Sequence, residues 1–343
     1  MKRLPYLLRV CMVLLSAFTA MTADGAEKNT EGKKADANTV PVSKVTGTPV
    51  VTFLNINSIS TPLRSNGIAD INVQQNNSGL IFPKGSGKSP IYESGFLWGA
   101  KVSGDPQPRV GGSSYSSGLQ PGKILSPGVA EDPNLPKNRI YRVRPDYRSG
   151  DLTSEIADEG ISAAEIRAQY ELDWNEWPVA DGAPFYDVDS NGVYDPSVDI
   201  PGVAGADQTV WFVTNDLNPT NVANLYGAQP LGIECQFTIW AYSQQGALGS
   251  MIFKNYLIIN KSNQTFDSMY VCQWADPDLG NAEDDLAGCD TTLSLGYIYN
   301  SNNVDASYNE LPPPSAGFDF FQGPRVASPG DTTFFRGHRI GGW

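Results

Sequence analysis

The stretch Glu234-Cys235-Gln236-Phe237-Thr238-Ile239-Trp240-Ala241-Tyr242 decides the fold class. Phe237, Ile239 and Ala241 fall at one parity, and Gln236, Thr238 and Trp240 at the other. Side chains of a strand alternate between the two faces of its sheet, so this spacing marks a strand with one buried face. Working outward, residues 209–213, 251–260, 268–274 and 293–299 carry similar β-branched and aromatic runs. Toward the N-terminus, 50–56, 68–73, 79–82, 96–102 and 140–144 are further candidates, and 332–335 is one near the other end. Gly, Asn, Ser and Asp separate these runs. Strands punctuated in this way predict a mainly β chain, an antiparallel β-sandwich of the jelly-roll or immunoglobulin-like kind with long loops.

A single short helix is expected. Ser162-Ala163-Ala164-Glu165 has the spacing of a capping box, Ile166, Tyr170 and Trp174 follow at helical intervals, and Pro178 ends the run. Trp174 and Trp177 beside the helix end read as core, with a sugar-stacking platform as the alternative. Residues 104–137 are dominated by Gly, Pro and Ser and read as a long surface loop. Lys84-Gly85-Ser86-Gly87-Lys88-Ser89 suggests a phosphate loop at first sight. The first glycine of that motif falls on Phe82, however, and Pro90 disfavours the helix that should follow, so the segment reads as a turn.

Asp187-Val188-Asp189-Ser190-Asn191-Gly192-Val193-Tyr194-Asp195 is the clearest chemical signal. Ca²⁺ takes six to eight oxygens, and a tight loop brings alternate side chains onto one point. Asp187, Asp189 and Asn191 fill positions 1, 3 and 5 of such a loop, Gly192 the turn at 6, the Val193 carbonyl position 7 and Asp195 position 9. Position 12, which an EF-hand gives to a bidentate Glu, holds Val198, so Asp199 is the expected substitute. Pro196 and Pro201 argue against an exiting helix. A plain Asp/Asn/Gly turn with solvated carboxylates is the alternative. A second, less regular acidic loop offers Asp276, Asp278, Asp284, Asp285 and Asp290 as a weaker cation site, with a solvated loop as its alternative. Cys272 and Cys289 flank it. A bond between them would close roughly 16 residues and stabilise by about 3 kcal/mol in the chain-entropy model. That leaves Cys235 unpaired, and three small buried thiols fit the spacing equally well.

The 343 residues hold 24 cationic and 37 acidic side chains, a formal charge of −13. Residues 1–26 read as a signal peptide: Lys2, Arg3 and Arg9, an apolar run over 10–20, then Ala20, Ala23 and Ala26. Cleavage after Ala26 removes those three cations and Asp24, which takes the charge to −15. So acidic a chain does not hold a polyanion by counterion release, which argues against nucleic acid. No later apolar run is long enough to cross a bilayer, and the mature chain is expected outside the cell or on its surface. Residues 27–48 form a polar spacer. An N-terminal β region, 49–150, precedes a region 151–343 with the helix, the calcium loop and the sandwich, as two domains or one continuous domain.

Only one histidine is present, His338. Catalytic relays that need histidine depend on that residue alone, and zinc sites built from several are excluded. A glycosidase needs only two carboxylates. The first reading is thus a secreted or cell-surface, calcium-stabilised binding or structural module, with no catalytic residue assigned and with carbohydrate or another surface protein as partner. The alternative is a secreted glycoside hydrolase or its accessory carbohydrate-binding region.

Residues 79–102 (GLIFPKGSGKSPIYESGFLWGAKV), 118–146 (GLQPGKILSPGVAEDPNLPKNRIYRVRPD), 187–216 and 268–300 together resemble large secreted proteins of Bacteroidota-like bacteria. Such proteins are exported by the type IX system and end in a C-terminal sorting domain. The resemblance implies export and surface location but brings no settled biochemical activity. No sorting domain is recognisable before Trp343, so the chain looks like the N-terminal part of a longer protein.

Overall fold

Strand Gln208–Asn215 is buried along its whole length, and this sets the layering. The computed structural model describes residues 7–12, 50–225, 227–309, 311–326, 332–335 and 338–341. The chain is mainly β and its sheets are antiparallel, as the alternating runs predict. The main sheet runs Tyr141–Val143, Gln208–Asn215, Ile233–Ala241, Phe253–Asn260, Leu7–Met12, Gln322–Val326, with Gln120–Pro121 paired onto Gln208–Asn215. A smaller sheet pairs Phe266–Asp276, Glu93–Val102 and Arg109–Gly112.

The two sheets share one core. Phe96, Trp98, Ala100 and Val102 meet Val210, Phe212, Cys235, Phe237, Ile239, Tyr256 and Ile258. Phe96 stacks on Tyr256 with centroids 4.1 Å apart, and Phe212 stacks on Phe237 at 4.6 Å. Leu54 and Leu63 join the same cluster, so residues before and after 150 contribute to a single core. The main sheet is also covered on its other face. Tyr141, Val143, Trp211 and Val213 pack there against Ile166, Tyr170, Trp174 and Trp177. The result is a sandwich with a third, helical layer on one side.

That third layer corrects the expectation of one helix. Among the described residues three are present: α1 (Thr153–Glu159), α2 (Ala163–Asn175) and α3 (Pro219–Asn224). The predicted helix is α2, and its capping box is made: Ser162 Oγ accepts from the Glu165 N–H while Glu165 Oε2 accepts from the Ser162 N–H. α1 hides from apolar periodicity because it is patterned inside out. It buries Glu155 and Glu159 and exposes Ile156. Arg142 and Arg144, on and beside strand Tyr141–Val143, receive those carboxylates, and Arg139 on the same segment pairs with carboxylates of α2 and its C-terminal end. Arg139 bonds Asp173 and Glu176, Arg142 pairs with Glu159, and Arg144 bonds Glu155 and Asp146. The helical layer is therefore docked by charge as well as by aromatic packing.

Residues 104–137 are not all loop. They contain Arg109–Gly112, Gln120–Pro121, Ile124–Ser126 and Val129–Ala130, strands too short to give a periodic signal. Residues 84–89 form turns, with the Ser86 N–H bonded to the Pro83 carbonyl and Lys84 Nζ bonded to the Asn55 carbonyl. The expected leader and spacer lie outside the described residues except for Leu7–Met12, which forms a strand between Phe253–Asn260 and Gln322–Val326. Among the described residues no helix is long and apolar enough to cross a membrane.

Candidate metal centre

The acidic loop hangs from a two-stranded clip. Phe185–Tyr186 pairs with Ile200–Pro201, which brings the two ends of the 187–199 segment together. The aromatic residues of the helical layer hold it from below. Trp174 Nε1 donates to the Pro196 carbonyl at 2.9 Å, and the Tyr194 hydroxyl donates to the Trp174 carbonyl at 2.6 Å. Trp177 Nε1 donates to the Pro184 carbonyl at 2.7 Å. Both tryptophans are buried, so they are core residues that position the loop and not an exposed sugar platform.

Within the loop, Asp187, Asp189 and Asp199 each place a carboxylate oxygen within 4.8 Å of the other two. Asp187 accepts from the Asn191 and Gly192 N–H groups at 3.1 and 2.7 Å. These bonds stabilise its charged form and hold its carboxyl below the usual range, the Gly192 N–H contributing most. Gly192 has φ +78°, a left-handed conformation that side chains resist, and it aims that N–H at Asp187. Asp189 accepts from the Asn191 N–H and from Asn191 Nδ2 at 3.2 and 2.8 Å.

Asp199 behaves differently from the rest. It is 2 % exposed, and its two oxygens accept from the Val188 and Asp195 N–H groups at 2.9 and 2.8 Å. It staples the loop from inside while still facing Asp187 and Asp189. Two expected ligands turn to neighbours instead. Asn191 Oδ1 accepts from the Val193 N–H at 2.6 Å, and Asp195 Oδ1 accepts from the N–H and hydroxyl of Ser197. Of the six expected ligands, three carboxylates thus converge. They form a hard, anionic oxygen set of the kind Ca²⁺ prefers, and each oxygen keeps lone-pair capacity beyond its N–H bond.

The second acidic loop does not gather its five residues. Asp276 accepts from the Tyr115 hydroxyl at 2.8 Å. Asp284 accepts from the side-chain amides of Asn300 and Asn302, and Asp285 from the Leu279 N–H. Asp290 lies at the far end of strand Asp285–Asp290 and accepts from Thr292. The residue that organises this loop is Asp305, which no spacing signal singled out. Buried, it accepts from the Asn281, Ser307 and Tyr308 N–H groups and from Asn300 Nδ2. Gly280, at φ +86°, is required beside it, because a Cβ there would lie 2.4 Å from Asp305 Oδ1. Burial raises the Asp285 carboxyl, and its Oδ1 is enclosed without a hydrogen-bond partner.

The expected Cys272–Cys289 bond is not made. Cys235, Cys272 and Cys289 are all free thiols, with Cys272 on strand Phe266–Asp276 and Cys289 on Asp285–Asp290, in different sheets. Of the three, only Cys235 is fully buried. His338 falls in strand His338–Gly341, and its side chain lies outside the described part of the molecule. No protein-family model matches this chain, and neither curated proteins nor solved structures give a match.

Proposed function

We propose that the protein is a secreted or cell-surface, calcium-stabilised binding or structural module. The observation that carries this reading is the convergence of Asp187, Asp189 and Asp199 in a loop whose backbone N–H groups already orient the carboxylates. Three carboxylates so close repel one another, and a divalent cation offsets that repulsion. Asp199 takes the place of the missing acidic residue at position 12, with water completing the shell. The export expectation and the resemblance to type IX cargo support the extracellular part of this reading.

Catalysis is not assigned. One carboxyl pair, Glu93 and Asp276, lies at cross-strand neighbours close to the rings of Trp274 and Tyr115. Glu93 is 2 % exposed, so the pair does not present two carboxyls to one open cleft as a glycosidase requires. Titration calorimetry of the chelator-stripped chain with Ca²⁺ tests the proposal. One saturable site, weakened by Asp187→Asn, supports it, and absence of a heat of binding contradicts it.

A further inference from the structure

A cleft of about 880 Å³ opens beside the C-terminal end of strand Phe266–Asp276, and no residue of the 187–199 loop lines it. Its walls come from three distant parts of the chain: the hairpin Ile71–Asn72/Asn77–Ser78, the segment from Lys88 to Tyr92, and Asp276, Asp278 and Tyr308. These walls are tied to one another before any ligand arrives. The Tyr92 N–H bonds the Asp276 carbonyl at 2.8 Å, and the Tyr92 hydroxyl donates to Asn76 Oδ1 at 3.1 Å. The Tyr115 hydroxyl holds Asp276 Oδ2, and the Tyr308 hydroxyl bonds the Phe82 carbonyl at 3.0 Å. Asn76 sits at the hairpin tip with φ +46°, a conformation asparagine tolerates better than most residues. Just past Asp276 the rings of Tyr115 and Trp274 meet edge to face, 4.5 Å apart, with Tyr115 largely exposed.

We propose that this cleft binds a neutral oligosaccharide. Its size falls in the range of small-ligand sites, but its lining is unlike that of an apolar pocket. Two aspartates, two asparagines, three serines and Lys88 line it together with Tyr92, Tyr308 and a single aliphatic residue, Ile81. A sugar hydroxyl donates and accepts at once, so neighbouring hydroxyls satisfy Asp276, Asn76 and Lys88 together. The C–H face of a pyranose ring packs on Tyr92 in the lining, and a longer chain reaches the exposed Tyr115 that bonds Asp276. The two carboxylates on one wall repel an anionic sugar, and the lining lacks the apolar side-chain pockets that give an extended peptide its specificity. The proposal names a ligand class for the binding module, and it does not depend on the metal loop.

The test uses the full chain and five neutral hexasaccharides: cello-, xylo-, manno-, laminari- and chitohexaose. Calorimetry should show saturable binding of at least one. Asn76→Gly, which keeps the positive φ, and Lys88→Gln, both outside the core, should each weaken it about tenfold or more with little change in melting temperature. Asp187→Asn should leave it intact. Failure of all five probes to bind overturns the proposal, as does binding that neither cleft variant weakens. Oligosaccharide binding without any response to calcium would keep this site and remove only the metal reading.

Discussion

Arg142 Nη2 lies 2.5 Å from Glu159 Oε1, with the two side chains 2 % and 4 % exposed. The approach is an ion pair rather than an aligned hydrogen bond, since Glu159 Oε1 has no donor in hydrogen-bonding geometry. Arg142 also donates to the Phe53 carbonyl and lies over the Tyr170 ring, 4.7 Å from its centroid. One guanidinium therefore links the main sheet, α1, α2 and the N-terminal strand Val51–Leu54.

Breaking that pair from one side leaves a buried charge without its partner. Glu159→Met or Arg142→Met should each destabilise by about 3–5 kcal/mol, whereas combining the two should recover most of the loss. Denaturant unfolding of the two single variants and the double variant measures the coupling. Additive losses would show that the two residues act independently.

Glu93 supplies a pH dependence. Burial pushes its carboxyl from an ordinary 4.5 up to about 7, reinforced by Asp276 and Asp70 and opposed by Arg64. The folded protein holds this proton more tightly than the unfolded chain does. The contribution is therefore present below 4.5 and is lost as pH rises through about 7. Glu93→Gln should raise the melting temperature at pH 8 and change it little at pH 4. An equal shift at both pH values would show that the effect is steric.

The thiols should react in order of exposure. Cys289 is exposed, Cys272 is partly covered with its thiol pushed up by burial, and Cys235 is sealed in the core. Thiol labelling of the native protein should modify Cys289 first, Cys272 slowly and Cys235 only on unfolding. Rapid modification of Cys235 would contradict the core packing around Phe237 and Tyr256.

The sandwich was legible in the sequence because Gln236 and Thr238 alternate with Phe237 and Ile239 in strand Ile233–Ala241, while Gln208–Asn215, covered on both faces, was marked by its β-branched and aromatic run alone. The strand at 332–335 and the capping box at Ser162 were equally plain. The helical layer was not. α1 docks through Glu155 and Glu159, and buried carboxylates answered by Arg142 and Arg144 carry the reverse of the apolar pattern that marks a helix. The acidic loop was found through its alternating oxygens and Gly192. What spacing could not tell is which oxygens turn inward. Asp195 is taken by Ser197, while Asp199 is both loop staple and member of the converging trio. Asp305 went unseen because its partners are backbone N–H groups, which leave no residue-type signature.

The double role of Asp199 has a measurable consequence. Asp199→Ala leaves the Val188 and Asp195 N–H groups without their acceptor in a partly buried setting, at roughly 1–3 kcal/mol for each group that water does not reach. The variant should therefore melt below wild type even in chelator. A chelated variant that melts with the chelated wild type would show that Asp199 acts only on the cation.

Melting of the wild type with and without chelator is the most direct test of the metal centre, with Asp189→Asn as its control. At calcium about 100-fold above the dissociation constant, linkage adds about 2.7 kcal/mol, enough to move the midpoint by several degrees. Chelation should lower the wild-type midpoint by that amount and leave Asp189→Asn nearly unmoved, since Asp189 faces the shared point and its other contacts are within the loop. Superimposable wild-type curves with and without chelator would contradict the account and reduce the 187–199 segment to a hydrogen-bonded turn.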